Sequence, residues 1–251
     1  MINELIAKAE IEYGAGIETT FKEIEEKFTQ LRNNAVAIHP EIPKGEDGLD
    51  NGAISIYDAR LLYILVRTLK PKVIFEIGTW IGTSAMMMAE AMRKNDNGGK
   101  IYTCDINTFY SVDDSYADII TPINTFSDRA IDQIPKDAML DFIFIDGELT
   151  FKTIAKLKPK LSSEAVITTH DFILPAEKGV LNFVRMQLLS YFSYTYFFPK
   201  NIQKNEFNSG AMGILYRYKS FSFINLLRSF FYTMGFGTRA LFVKLFRKLF
   251  V

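Results

Sequence analysis

The chain has 251 residues, 48% of them hydrophobic, which is enough apolar material to bury a full core. Its 29 basic and 29 acidic residues cancel, so the whole-molecule charge does not point to a partner. A single cysteine, Cys104, excludes an intrachain disulfide and a cysteine zinc site, as expected for a reducing compartment.

The N-terminus, "MINELIAKAEIEYG", is charged and amphipathic and lacks the apolar core of a signal peptide. No apolar run approaches the ~18 residues that span a bilayer, so the expected location is cytoplasmic. Residues 1–33 read as one or two amphipathic helices, "ELIAKAEIEYG" and "IETTFKEIEEKFTQLRNN". "HPEIPKGEDGLDNG" is turn chemistry. "SIYDARLLYILVRTLKP" reads as a helix capped by Ser55 and ended by Pro71.

Short apolar runs then alternate with helical ones. "KVIFEIG", "KIYTCDI", "ITPINTF", "LDFIFIDG" and "EAVITTHDF" read as strands. "GTSAMMMAEAMRKN", "DDSYADII", "RAIDQIP", "TFKTIAKLKPKL" and "GVLNFVRMQLLSYF" read as helices. "SYTYFFP" and "AMGILYRY" read as a final antiparallel pair. Strands without polar alternation are covered on both faces, which suggests a parallel sheet between helices. The expected fold is therefore α/β: a Rossmann-like, doubly wound, mostly parallel sheet of seven strands. Three regions are expected: N-terminal helices or a lid over 1–54, a ligand-binding domain over 55–219, and a tail over 220–251.

In such a sheet, ligands bind outside the carboxyl ends of the strands. Here those ends are acidic: Glu76, Asp105, Asp146 with Glu148, and Asp171 beside His170. The first turn runs Gly78, Thr79, Trp80, Ile81, Gly82, Thr83, Ser84. Its GxxxG spacing differs from the GxGxxG pyrophosphate cradle. A carboxylate at Glu76, two residues before the first glycine, would repel a pyrophosphate and suit an ammonium. Asp105 ends the next strand, where an acid accepts hydrogen bonds from ribose hydroxyls. A ribose, a cationic amino-acid end and no phosphate together describe S-adenosylmethionine.

With these motifs in order, the stretch "FEIGTWIGTSAMMMAEAM … KIYTCDIN … DFIFIDGE … VITTHDF" resembles the class I S-adenosylmethionine-dependent methyltransferases. Within them it is similar to the small-molecule O-methyltransferases that include catechol-type and macrolide-sugar enzymes. The resemblance covers about residues 55–185. It implies that Glu76, Gly78, Thr79, Gly82, Ser84, Asp105, Ser127, Asp128 and Asp146 hold the cofactor. It implies catalytic roles for His170, Asp146 and Glu148. In metal-dependent relatives, acids after the fourth and fifth strands bind magnesium, which here marks Asp146, His170 and Asp171.

Two departures stand out. Relatives often read "DGDH" after the fourth strand, where this chain reads "DGEL", with Glu148 for the acid and Leu149 for the histidine. Catechol-type enzymes carry Asp-Asn after the fifth strand, whereas Phe172 follows Asp171. Plainer roles stand beside each assignment: His170 as a structural histidine, Asp146 and Asp171 as loop or cofactor contacts without metal, Glu148 as a solvated charge.

Every acidic residue lies at or before Glu206, and beyond it stand Arg217, Lys219, Arg228, Arg239, Lys244, Arg247 and Lys248. On a helical projection of the last segment, Leu241, Phe242, Leu245, Phe246, Leu249 and Phe250 share an arc of about 180°. Lys244, Arg247 and Lys248 fall opposite. The pattern is that of an interfacial helix on anionic lipid; the alternative is a helix packed on the sheet or in a homodimer interface. The reading is a methyltransferase acting on a small-molecule, sugar or lipid-linked hydroxyl, peripheral to a membrane. Its rival is a non-catalytic protein of the same fold, anchored by the tail for binding or assembly. The acidic body and the lack of an Asn/Asp-Pro-Pro-Tyr/Phe motif argue against nucleic acid.

Overall fold

A computed structural model describes residues 25–44, 52–170, 192–197 and 212–218, with isolated positions before residue 25. The expected helix over "GVLNFVRMQLLSYF", apart from Phe192, lies outside the described residues, as do Asp171 and the whole tail 220–251.

Helix α1 covers residues 25–38. Helix α2 is Ile56–Leu69, capped by the Ser55 side chain, which accepts a bond from the Asp58 N–H. It ends at Lys70, held at φ 49°, with Pro71 preventing continuation. Strand β1 (Val73–Ile77) leads into α3 (Thr83–Asn95), and β2 (Lys100–Asp105) and β3 (Ile120–Asn124) follow. The short α4 (Ser127–Ala130) precedes β4 (Leu140–Ile145), α5 (Phe151–Leu157) and β5 (Leu161–Thr169). The sheet closes with β6 (Phe192–Phe197) and β7 (Met212–Tyr218).

Seven strands form one sheet in the order β3-β2-β1-β4-β5-β7-β6. Strands β1 to β5 pair in parallel, and β7 runs antiparallel to both β5 and β6. Alternate side chains of the central strands feed two cores. Ile74, Phe142 and Phe144 pack under α2 and α3. Phe75, Ile77, Ile143 and Ile145 pack under α4 and α5. This two-sided burial is why the strand sequences carry no polar alternation. The methionines of α3, Met86, Met87 and Met88, are buried in the first core and do no chemistry.

Two local expectations are corrected. "DDSYADII" is not a helix: it holds one 3-10 turn, Asp114–Tyr116, and then enters β3 at Ile120. Tyr116 is buried, its hydroxyl donating to Glu90 on α3 at 2.5 Å, so the segment follows the fold and not its own periodicity. Strand β5 begins at Leu161, earlier than its apolar run, because Leu161 pairs with Leu140 across an irregularity in the register.

Candidate cofactor and catalytic site

The strand order reverses at β1, whose neighbours are β2 and β4. The turns after β1 and β4 meet there. Gly78 sits at φ 97°, and a Cβ on it would lie 2.8 Å from the carbonyl carbon and oxygen of Asp146. Only glycine permits that approach. Gly82, at φ 93°, caps α3, and its N–H donates to the Thr79 carbonyl at 2.8 Å. Trp80 between them takes φ 48°, and its backbone N–H donates to Asp105 Oδ2 at 2.8 Å. Asp105 Oδ1 accepts from the Asn107 backbone at 2.9 Å, which fixes the carboxylate at the end of β2.

These turns open onto a cavity of about 300 Å³. Gly78, Trp80 and Asp105 line one wall, Ser127 and Asp128 another, and Asp146, Gly147 and Glu148 a third. Ile106 and Phe126 add exposed apolar surface at its walls. Ser127 is buried and bonds Thr153 Oγ1 at 2.9 Å, while Lys152, 2.7 Å from Asp128, holds that carboxyl below its usual range. Cys104 also lines the cavity; burial pushes its thiol up to about 12, which leaves it inert as a nucleophile.

Residues 75–172 match the family model described as a methyltransferase domain. That match runs from within β1 to just past β5 and takes in both turns that meet at the cavity. The solved structures agree on the fold. The O-methyltransferase TomG from Streptomyces achromogenes, solved with SAM, has a TM-score of 0.55 at 16% identity, over 75% of this chain and 89% of its own. An O-methyltransferase from Bacillus cereus in complex with SAH gives 0.58 at 16% identity, over 86% and 100%. An SAH-bound methyltransferase from Podospora anserina gives 0.57 at 14%, over 83% and 96%. No curated protein matches the sequence. The likeness is one of fold: the chain shares the architecture of these solved methyltransferases.

The strand ends bring together most of the residues marked in the sequence, but not all. Glu76 is fully buried and does not line the cavity. Thr103 and Ser84 donate to it, Thr103 in turn bonds Thr79 at 2.5 Å, and Glu76 Oε1 has no partner. Burial pushes its carboxyl up to about 8, against the pull of those hydrogen bonds. Leu149 points into the core beneath α5, so the position where relatives carry a histidine is a packing position here. Glu148 is exposed at the cavity wall.

His170 stands between two carboxylates. Its Nδ1 lies 2.9 Å from Asp146 Oδ1 and its Nε2 3.2 Å from Asp58 Oδ2. Desolvation alone would lower its pKa, but the two carboxylates together raise it to about 11. As placed, both ring nitrogens face carboxylate oxygens. Among the described residues no group of three His, Cys, Asp or Glu side chains is arranged to hold a metal. Asp171, the third residue marked for a metal in the sequence, lies outside the described residues. Asp58 was missed in the sequence, where it reads only as an acid in the first turn of a helix.

Proposed function

We propose that this chain is an S-adenosylmethionine-dependent methyltransferase acting on a hydroxyl oxygen of a small molecule, sugar or lipid-linked glycan. The observation that carries the reading is the cavity at the β1/β2/β4 switch, with Asp105 held at its wall by the turn it faces. The residues fit the cofactor: Asp105 offers acceptors for ribose hydroxyls, and the turn gives no phosphate cradle.

When bound, the cofactor supplies a methyl group on a sulfonium, a leaving group that needs no acid. The chain's task is then to align the acceptor oxygen and take its proton. Asp146 and Glu148, both at the cavity wall, serve that task, and His170 orients Asp146. The tail's basic and Leu/Phe faces support peripheral contact with anionic lipid. No helix among the described residues is long and apolar enough to cross a membrane. The packed Leu149 favours a second reading, a cofactor-binding protein without turnover.

Calorimetry with S-adenosylmethionine tests the shared part. Asp105→Ala should weaken binding about 10- to 100-fold, as expected for hydrogen bonds to a charged group. No wild-type binding at millimolar ligand ends both readings. Formation of S-adenosylhomocysteine over a panel of hydroxyl acceptors, with and without chelator, separates them.

A further inference from the structure

Trp80 and Ile81 stand between the two glycines of the first turn. Ile81 is fully buried against Ala35 of α1 and Ile42, with Ala53, Trp80 and Phe109 packed around them. The turn that shapes the cavity is therefore also the surface on which the N-terminal segment docks. Trp80 and Gly52 both line the cavity, and they meet there. A Cβ on Gly52 would lie 2.5 Å from Trp80 Cε2 and 2.6 Å from Nε1. The Gly52 backbone lies outside the left-handed region, so it is the indole, not the chain path, that calls for glycine. Phe109, from the loop after β2, meets the indole edge-on at 5.0 Å, and His39 meets Phe109 at 5.3 Å. The indole N–H is buried and finds no acceptor among the described residues, so packing holds the ring.

We propose that Trp80 is a positioning residue that ties the N-terminal segment to the ligand site: Gly52, Phe109 and His39 set the ring, and the ring sets the cavity wall beside Asp105. The proposal rests on the S-adenosylmethionine reading. The backbone of Trp80 carries the other half of the link. Its N–H donates to Asp105 Oδ2 at 2.8 Å, at a φ of 48° that bulky residues seldom adopt. The next residue is pinned as well, the Ile81 carbonyl accepting from the Ser111 N–H at 3.2 Å. With the backbone pinned and the ring wedged, there is little slack, so a push on the ring passes to the wall and to the donor that aims Asp105. Linkage makes the coupling reciprocal: a ligand that steadies Asp105 and the wall steadies the surface on which Ala35 and Ile42 rest.

Gly52→Ala supplies the push, because the three atoms nearest the added methyl all belong to the indole. By calorimetry on the full chain it should weaken S-adenosylmethionine about tenfold. In a Trp80→Leu background, where those ring atoms are gone, the same substitution should cost less than about threefold. Equal losses in the two backgrounds, or no loss with Trp80 present, overturn the proposal. A role in folding alone would lower Tm without this dependence on background. Hydrogen exchange on the unaltered chain gives a second readout, which stands if a variant fails to fold or to bind. The His39 N–H donates to the Ala35 carbonyl at 2.8 Å and the Ile42 N–H to the His39 carbonyl at 3.1 Å, and neither residue lines the cavity. S-adenosylmethionine should slow exchange at both by about threefold or more. Unchanged rates there, beside slowed exchange at Trp80 and Asn107, overturn this proposal alone. A wild-type chain that binds no S-adenosylmethionine at millimolar ligand sinks the cofactor reading, and this proposal with it.

Discussion

Gly78→Ala tests whether the meeting of the two turns holds the site together. The residue sits at φ 97°, outside the regions open to alanine, at a cost of about 1–3 kcal/mol. The added Cβ would stand 2.8 Å from the Asp146 carbonyl carbon and 2.9 Å from the Gly147 nitrogen. Those are backbone atoms of the facing turn, so no side chain can swing aside, and overlap of this kind adds about 1–3 kcal/mol. Taking about 4 kcal/mol in all, a chain of this size should lose roughly 8–16 °C in Tm. Gly98→Ala is the internal control. Gly98 also has positive φ, 66°, but a Cβ there would meet nothing within 4 Å. It should cost about 1–2 kcal/mol, or roughly 2–8 °C. Thermal unfolding followed by circular dichroism measures both. Equal shifts for the two variants would refute the close-approach argument, since only the backbone contact distinguishes them.

Two further outcomes follow from the buried acid and the tail. Glu76 has a folded pKa of about 8 against an ordinary 4.5, so the folded state holds the extra proton and stability falls as pH rises from about 4.5 to 8. Glu76→Gln removes that leg: without ligand it should raise Tm relative to wild type at pH 8.5 and have little effect at pH 5; an unchanged pH profile counts against the buried carboxyl. For the tail, vesicles with anionic lipid should float the full chain but not one ending at Lys219, and equal flotation would end the membrane proposal.

The sequence alone determined the local elements and the layered plan. Ser55 and Pro71 bracket α2 because capping and termination are local chemistry. Five apolar runs became the parallel strands because burial on both faces leaves its mark in composition. The GxxxG turn and Asp105 were legible because both lie at strand ends, where the fold places ligands, and the structure sets them on one cavity. "DDSYADII" was misread because its Tyr116 answers to Glu90 on another helix. Tertiary structure alone decided what each acid and the histidine can do. Glu76 and Asp105 look alike as strand-end carboxylates, yet one is sealed in the core and the other stands at the cavity. His170 read as a base or ligand beside a structural histidine, and only packing sets Asp58, from a distant helix, at its second nitrogen. The physical reason is that protonation and reach depend on which groups packing brings within a few ångströms, and α2 meets β5 only once the sheet has closed.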